Sequence, residues 1–268
     1  MDNCEQLGGN PRANTPWCAR KIVKMIWFIP LWMALLVLAS CTTPQGENRW
    51  LYVVSPSDLY QVEFPKGPER HIGKVQDAQG NGITLLDIAL NPKDGGLYGV
   101  NDTLYRVDKN TATLTRIGNG LQATAPSVPS EAVALAFSSE GVLYAGVDGN
   151  KLATVDTTTG KASLIGSLSA GYSYSGDLAF APDGRLFATA SGQDIYDELL
   201  LINPQTGAGT PMGNIGYRKV FGLQFIGSTL YGLSEGSPSS LIAIDTATGK
   251  GTLVRTLDLR GYGIQRER

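Results

Sequence analysis

After residue 50, apolar and polar residues alternate in short runs, and each run ends in a cluster of Gly, Pro, Asp, Asn or Thr. The segment Leu241-Ile-Ala-Ile-Asp245 is one example. Runs of about four to eight residues with period-two alternation are typical of half-buried β-strands. No segment after the N-terminal region keeps apolar residues at the 3.6-residue period of a helix. The pattern therefore predicts an all-β fold from residue 50 onward.

A leucine followed by an aromatic residue recurs every 43 to 46 residues. Around each copy the order is the same: an apolar strand, a turn rich in Pro, Asp and Gly, the Leu-aromatic strand, and two further strands. Four antiparallel strands in about 45 residues are typical of a β-propeller blade. The copies are Leu51-Tyr52, Leu97-Tyr98, Leu143-Tyr144, Leu186-Phe187 and Leu230-Tyr231.

The number of blades follows from the length of the repeat region. Residues 50–268 hold close to five periods, so we expect five blades. Six is the alternative if a degenerate blade lies in Gln76 to Ile83 or Leu121 to Ser130. The first copy lacks its innermost strand, and Tyr262-Gly-Ile-Gln265 resembles Phe221-Gly-Leu-Gln224 at the start of the last blade. We therefore expect the C-terminal strand to enter the first blade and close the ring, which leaves no open sheet edge.

The N-terminal region, residues 1–40, reads as a leader. Basic residues at 20, 21 and 24 precede an apolar run from Met25 to Ala39, which is too short to span a bilayer. The run ends in Leu38-Ala39-Ser40-Cys41, which resembles the lipobox of bacterial lipoproteins. That resemblance implies cleavage between Ser40 and Cys41 and acylation of Cys41. An ordinary signal peptide or membrane anchor is the alternative.

The segments on either side of the apolar run carry two further expectations. The first 19 residues are polar and unusually long for such a leader, so we hypothesise that translation starts at Val23. Residues 41–49 read as a flexible tether, and residues 50–268 as the propeller. Thr42 rather than Asp follows Cys41, which resembles outer-membrane sorting. We expect an exported protein held to the membrane by acyl chains, on the periplasmic face of the outer membrane or, in one-membrane bacteria, at the cell surface.

Charge and reactive residues exclude several function classes. Without the leader, 18 basic residues face 22 acidic ones, so a nucleic-acid partner is not expected. Cys4 and Cys18 lie in the leader, which leaves no thiol beyond the lipid acceptor. His71 is the only histidine and falls on an outer strand. The residues that a nucleophilic triad or a histidine metal site would need are therefore missing from the predicted propeller. We expect a protein that is not an enzyme.

The blades resemble those of the NHL and quinoprotein-like propellers, over essentially all of residues 50–265. The resemblance rests on the recurring strand and turn sequences of the repeat, and the Asp-x-x-Thr-Gly-Lys turns that end at Lys161 and Lys250 resemble those of the quinoprotein propellers. In quinoprotein propellers a tryptophan usually follows, whereas here Ala162 and Gly251 follow. No quinone cofactor is expected.

Two aspartates stand at equivalent positions at the start of the predicted innermost strands. Asp87 and Asp177 occupy this position in two blades, with Glu131 nearby. In six-bladed calcium-dependent hydrolases, carboxylates and amides from several blades converge at the channel mouth, so Ca²⁺ bound by Asp87 and Asp177 is one interpretation. We favour the other, in which each aspartate accepts hydrogen bonds from backbone amides of the loop entering the strand.

The loops entering the innermost strands differ between blades and gather on one face of the disc, which we call the entry face. Tyrosine and arginine are enriched at interfaces, so we predict that these loops bind a partner or ligand. The segment Asp194 to Glu198 is expected on the opposite or a side face. The predicted binding residues are Tyr172, Tyr174, Tyr217, Arg218, Arg260 and Tyr262.

Three functional hypotheses follow. The first is a lipid-anchored, non-enzymatic propeller that binds another envelope protein through the entry face. The second is a protein that binds a carbohydrate or another small ligand with the same residues. The third is a divalent-cation-dependent hydrolase that uses Asp87 and Asp177.

Overall fold

The computed structural model describes residues 50–121 and 131–267, which form 21 β-strands and no helix. The leader and tether, 1–49, lie outside the described residues. Within residues 50–121 and 131–267, no helix is long and apolar enough to cross a membrane. The strands are β1 (Trp50–Val54), β2 (Asp58–Glu63), β3 (Glu69–Lys74), β4 (Gln76–Asp77), β5 (Asp87–Leu90), β6 (Leu97–Val100), β7 (Leu104–Val107), β8 (Thr113–Ile117), β9 (Ala132–Phe137), β10 (Leu143–Val147), β11 (Lys151–Val155), β12 (Ala162–Ser167), β13 (Ser173–Phe180), β14 (Leu186–Ser191), β15 (Glu198–Ile202), β16 (Gly209–Asn214), β17 (Val220–Ile226), β18 (Thr229–Ser234), β19 (Ser239–Ile244), β20 (Gly251–Leu257) and β21 (Gly263–Arg266).

The strands pair into five sheets, each of which is one blade of a propeller. From the inside outward, blade 1 is β21-β1-β2-β3, blade 2 is β5-β6-β7-β8, and blades 3, 4 and 5 are β9 to β12, β13 to β16 and β17 to β20. The inner strands contact one another in a closed circle, in the order β21, β5, β9, β13, β17 and back to β21. The all-β fold with five four-stranded blades is confirmed.

The ring closes where the two ends of the propeller meet. Strand β21 pairs antiparallel with β1, with Val53 opposite Ile264. Two backbone hydrogen bonds extend the pairing, from Tyr262 N to Val54 O (2.7 Å) and from Glu267 N to Trp50 O (2.9 Å). The C-terminal strand thus supplies the inner strand that the first repeat lacks, as predicted from its sequence.

The six-blade alternative is wrong. Strand β4, in the segment Gln76 to Ile83, pairs in parallel with β8 at the outer edge of blade 2. The segment therefore adds a short fifth strand to an existing blade. Of the second candidate segment, only Leu121 belongs to the described residues, where it is buried between blades 2 and 3.

The recurring Leu-aromatic pair lies on the second strand of each blade and packs against both neighbours. The side chains of successive strand residues point to opposite faces of the sheet. Leu97 accordingly packs with blade 1, and Tyr98 with blade 3. Five buried apolar clusters result, one for each interface between blades. Aromatic pairs cross four interfaces: Tyr98 with Phe137 and Tyr144 with Phe180, each with 5.2 Å between ring centroids, Phe187 with Phe225 at 5.7 Å, and Tyr231 with Phe64 at 4.8 Å.

The repeated Asp-x-x-Thr-Gly-Lys turn also serves packing between blades. The Asp156 carboxylate accepts hydrogen bonds from the amides of Thr158 and Thr159, both at 2.8 Å. Gly160 has a φ of 72°, and a Cβ there would lie 2.6 Å from the carbonyl oxygen of Ile117 in blade 2. Glycine is needed because both the backbone conformation and the close approach exclude a side chain.

Candidate functional site

The central channel is lined by the five inner strands, which run from the entry face to the opposite, exit face. Because the strands are equivalent, their residues fall into rings with one member from each blade. The ring nearest the entry face contains Asp87, Ala134, Asp177, Gly222 and Gly263. Two residues further along is a ring of Ala89, Ala136, Ala179, Gln224 and Gln265. The last ring contains Leu90, Phe137, Phe180, Phe225 and Arg266.

Asp87 links blade 2 to blade 3 at the centre of the molecule. Its side chain is fully buried. One carboxyl oxygen, Oδ1, accepts a hydrogen bond from the amide of Ile88 at 2.8 Å, and Oδ2 accepts one from the amide of Leu135 in blade 3 at 2.7 Å. Both amides belong to inner strands, so the expectation that the entering loops supply them is corrected. The inner edge of a sheet exposes such amides, and Asp87 satisfies two of them.

Asp177 makes the same arrangement between blades 4 and 5. Its Oδ1 accepts from the amide of Leu178 (2.5 Å), and its Oδ2 accepts from the amide of Leu223 in blade 5 (2.6 Å). The buried hydroxyl of Thr189 adds a second link, because it accepts from the Asp177 amide at 3.0 Å and donates to the Val220 carbonyl at 2.9 Å. Each aspartate therefore joins its own inner strand to the next one.

The two carboxyl groups interact with each other at the centre of the ring. Burial raises the pKa of Asp177 to about 7. Burial, and then the charge of Asp177, raise the pKa of Asp87 well above its ordinary value. A hydrogen bond between the two groups raises the pKa of Asp87 and lowers that of Asp177, which makes Asp87 the protonated partner. The pair therefore keeps a proton to higher pH than a solvent-exposed carboxyl would.

This pair does not fit a Ca²⁺ site. Calcium takes six to eight oxygen ligands. All four carboxyl oxygens of Asp87 and Asp177 already accept backbone hydrogen bonds. In the part of the chain that the structure describes, no three His, Cys, Asp or Glu side chains come together where they could hold a metal.

Two glutamines perform the corresponding task nearer the exit face. The side-chain Oε1 of Gln224 accepts from the amide of Arg266 in blade 1, and that of Gln265 accepts from the amide of Leu90 in blade 2, both at 3.2 Å. In blades 2, 3 and 4 the equivalent residue is alanine, which has no acceptor. Aspartates near the entry face and glutamines near the exit face thus cap the inner edges of different blades.

Above the aspartates, the channel opens on the entry face as a cavity of about 350 Å³, the entry pocket. Its apolar walls come from Leu86, Val133, Phe221 and Tyr262, and every blade contributes a lining residue. The rings of Phe221 and Tyr262 meet edge to face, with centroids 5.6 Å apart. The guanidinium of Arg260 lies 5.4 Å from the centre of the Tyr262 ring.

One glutamate holds two cations at the rim of this pocket. The Glu235 side chain is only 9% exposed, and it forms ion pairs with Lys219 Nζ (2.7 Å) and with the guanidinium of Arg260, whose Nε lies at 2.8 Å. Burial alone would raise the pKa of Glu235, but the two bonds lower it below its ordinary value. The Lys219 and Arg260 side chains are 59% and 50% exposed. Arg218 joins them around an open depression beside the pocket.

The predicted binding residues separate into two groups. Arg218, Arg260 and Tyr262 lie together at the pocket and its rim. Tyr172 and Tyr217 lie elsewhere, because the Tyr172 hydroxyl bonds Glu198 in its own blade (3.1 Å) and the Tyr217 ring packs beside Gly251 on the outer strand of blade 5.

Two expectations about the loops are corrected. Tyr174 is 6% exposed and packs into the interface with blade 3, where Gly146 makes room for its ring. It is therefore a core residue rather than a surface contact. The segment Asp194 to Glu198 lies on the entry face, since Asp197 N donates to Tyr217 O (2.9 Å) and the carboxylate of the buried Asp197 accepts from Val220 N (2.7 Å).

Several residues of the channel were missed by sequence reasoning. Lys219, Phe221 and Glu235 complete the entry pocket. The signal for Lys219 and Phe221 was their position next to Arg218 and the start of β17. Glu235 follows β18, so only the return of that strand to the entry face brings it near Arg260. The exit end of the channel was missed as well, because function was expected at the loops that enter the inner strands.

The fold and its central channel define a five-bladed β-propeller. The chain belongs to the family described as a repeat of unknown function, DUF6923, whose profile matches residues 54–257. No curated protein matches the sequence.

Solved propellers are similar in fold. One is a gluconolactonase from Xanthomonas campestris, with a TM-score of 0.49 and 10% identity over 81% of this chain and 79% of that one. Another is a structural-genomics protein of unknown function from Bacteroides thetaiotaomicron, with a TM-score of 0.51 and 15% identity over 77% of this chain. The match spans 55% of the Bacteroides protein, and at this identity the likeness concerns the fold alone.

Proposed function

We propose that the protein is a lipid-anchored, non-enzymatic propeller of the cell envelope whose entry face binds a partner protein. The observation that carries the proposal is the entry pocket, where residues of all five blades surround one concave site. A rigid ring that presents variable loops is a scaffold suited to recognition. Aromatic and arginine side chains around a central cavity are the residue types that dominate interface energetics.

The charges around the pocket indicate which partner group would fit. Glu235 lies inside the rim, whereas the side chains of Lys219 and Arg260 extend toward solvent. With the exposed Arg218, three cations lie around Glu235, and Glu131 is the other carboxylate that lines the pocket. An acidic side chain of the partner would therefore be attracted to this side of the pocket. Phe221 and Tyr262 would supply apolar contact beside it.

The membrane attachment is proposed from the N-terminal sequence. Leu38-Ala39-Ser40-Cys41 follows a basic and then an apolar segment, which supports export, cleavage before Cys41 and acylation of that cysteine. Multiple acyl chains hold a protein stably at a bilayer. The propeller would then stand on a short tether at the periplasmic face of the outer membrane or at the cell surface.

Site-specific crosslinking tests the partner. A photoreactive residue in place of Tyr262 should crosslink one envelope protein in intact cells, and the double change Arg218→Glu and Arg260→Glu should abolish the crosslink. Lys161→Glu, on an exposed turn at the outer edge of blade 3, is the matched charge reversal and should leave it intact. A crosslink that survives the double reversal, or that Lys161→Glu also removes, would exclude the entry face as the binding surface.

A second candidate is binding of a carbohydrate or another small ligand in the same pocket. The observation that favours it is the volume of about 350 Å³, within the range of small-molecule sites. Binding of a glycan in an array, lost in Tyr262→Ala while no protein crosslink forms, would replace the first candidate with this one.

A further inference from the structure

The channel widens again below the two glutamines into a second cavity, the exit chamber, of about 500 Å³. It opens on the exit face, at the other end of the channel from the entry pocket. Phe137, Phe180 and Phe225 of the last ring line its wall, and Ala136 and Ala179 line its inner part. Cavities of this size with aromatic walls and a few polar groups are typical of ligand sites.

The space exists because three blades carry alanine where the other two carry glutamine, and the alanines of blades 3 and 4 line the chamber. Gln224 and Gln265 reach across to the amide of the following blade, and Ala136 and Ala179 do not. Phe180 pairs with Leu186 next to the hydrogen-bonded pair of Ala181 and Arg185. In an antiparallel ladder such pairs alternate, so the N–H and C=O of Phe180 point away from β14 and into the channel.

The same geometry applies in blade 5. The carbonyl oxygen of Phe225 faces the channel, since it accepts a hydrogen bond from Gln224 Nε2 at 2.8 Å. The amide of Phe225 points the same way, and the residue that would cap it from blade 4 is Ala179. The chamber wall therefore presents both backbone donors and backbone acceptors.

Gln265 adds a donor that has no acceptor within the described residues. Its side chain is 9% exposed and lines the chamber. Its Oε1 accepts from Leu90 N, but its Nε2 donates to no protein group described in the structure. The Nε2 group reaches solvent in the chamber, so the oxygen of a ligand could replace water as its hydrogen-bond acceptor there.

The chamber has no net charge to attract an ion. Arg266 and Glu267 line it with opposite charges. The Glu267 carboxylate already accepts hydrogen bonds from Tyr52 Oη (2.9 Å) and from Gln61 Nε2 (3.2 Å). A neutral ligand fits this balance better than an anion or a cation.

We infer that the exit chamber binds a small neutral polyol, of the size of a monosaccharide. Hydroxyl groups both donate and accept, which matches the Gln265 donor and the exposed backbone edges of Phe180 and Phe225. The C–H faces of a sugar ring would pack against the phenylalanine rings. This site lies at the opposite end of the channel from the entry pocket and stands whether or not the entry face binds a protein.

Ala179→Gln tests the inference with a side chain that the propeller already uses at two equivalent positions. The new carboxamide should reach the Phe225 amide and fill the chamber. The probes are D-glucose, N-acetylglucosamine and myo-inositol, observed by saturation-transfer NMR and by shifts of the protein amides. We expect at least one probe to bind with a millimolar dissociation constant, to shift the side-chain amide of Gln265, and to bind at least about tenfold more weakly to the variant.

Ala247→Gln, the same substitution at an exposed turn, is the matched control and should bind like the parent. If Ala179→Gln does not fold, the amide shifts in the parent decide the question alone. The inference is overturned if none of the three probes shifts the amides of Gln265, Phe180 and Phe225. It is equally overturned if the shifts fall in the entry pocket, or if a folded Ala179→Gln protein binds as tightly as the parent.

Discussion

The two halves of the central channel solve the same problem with different chemistry. Near the entry face, Asp87 and Asp177 cap the inner edges of the blades, each accepting two backbone amides. Near the exit face, Gln224 and Gln265 each accept one. A carboxyl group is the stronger acceptor, but it titrates and is costly to ionise in a dry interior. The ring is therefore held by pH-dependent links at one end and by pH-independent links at the other.

Deletion of residues 261–268 should lower the stability most, because it removes β21, the strand that pairs with β1 and closes the ring. The buried Ile264 and the Gln265 cap are lost, and Asp87 loses the close contact of Gly263. Blade 1 and the circle of inner strands are then open. We expect the cooperative unfolding transition to disappear in a urea titration followed by circular dichroism. A truncated protein with the midpoint of the parent would refute closure as the source of stability.

Asp177→Ala should destabilise the entry half of the channel. It leaves the amides of Leu178 and Leu223 buried without acceptors, so we expect a loss of about 3 kcal/mol or more in the free energy of unfolding. Asp156→Ala is the control, because this aspartate also accepts two amides but on an exposed turn. Asp156→Ala should lower the free energy of unfolding by only about 1 kcal/mol. Equal losses in urea denaturation would show that burial of the aspartate contributes nothing.

The pH dependence of the folding stability should differ between the two halves of the channel. Asp177 and Asp87 have raised pKa values in the folded state, so folding retains a proton that the unfolded chain loses. Their contribution is present below about pH 4 and is lost as the pH rises toward about 7. Carboxyls with lowered pKa values, such as Asp94 and Asp183, act below this window and in the opposite direction.

Urea midpoints between about pH 4 and about pH 7 measure this loss. Asp87→Asn is the matched variant, since its carboxamide does not titrate and can still donate to Asp177. We expect a flatter profile for Asp87→Asn than for the parent. A parent whose stability rises throughout this window would contradict a shared proton in the pair.

Gln265→Ala should have the smallest effect of the set. It removes the acceptor for the Leu90 amide, next to the exit chamber, where solvent can replace it. We expect a loss of about 1 kcal/mol in the free energy of unfolding, with no change in the slope of stability against pH. Urea midpoints at the two ends of the window test both points. A slope that changes with Gln265→Ala would mean that the two halves of the channel are coupled.

The repeat was readable from the sequence because each copy carries its own local signals. The alternating strands, the Asp and Gly turns and the Leu-aromatic pair are set within about 45 residues. The resemblance between Tyr262-Gly-Ile-Gln265 and Phe221-Gly-Leu-Gln224 was enough to predict closure. The positions of the loop side chains were predicted less well, because exposure depends on neighbours that are distant in sequence. Tyr174 is buried because Gly146 in the neighbouring blade leaves room for its ring. Glu235 comes near Arg260 only because β18 returns to the entry face.

The sequence alone was enough to predict an all-β ring, with five blades expected and six as the alternative, and a C-terminal strand that closes it, because these features follow from local periodicity repeated along the chain. That Asp87 and Asp177 meet at the centre and accept amides of the next blade follows only from the folded ring. The same holds for the chamber at the exit, where alanines of blades 3 and 4 leave room. The physical reason is that the central channel is formed by one residue from each repeat, so its contacts join positions that no local pattern relates.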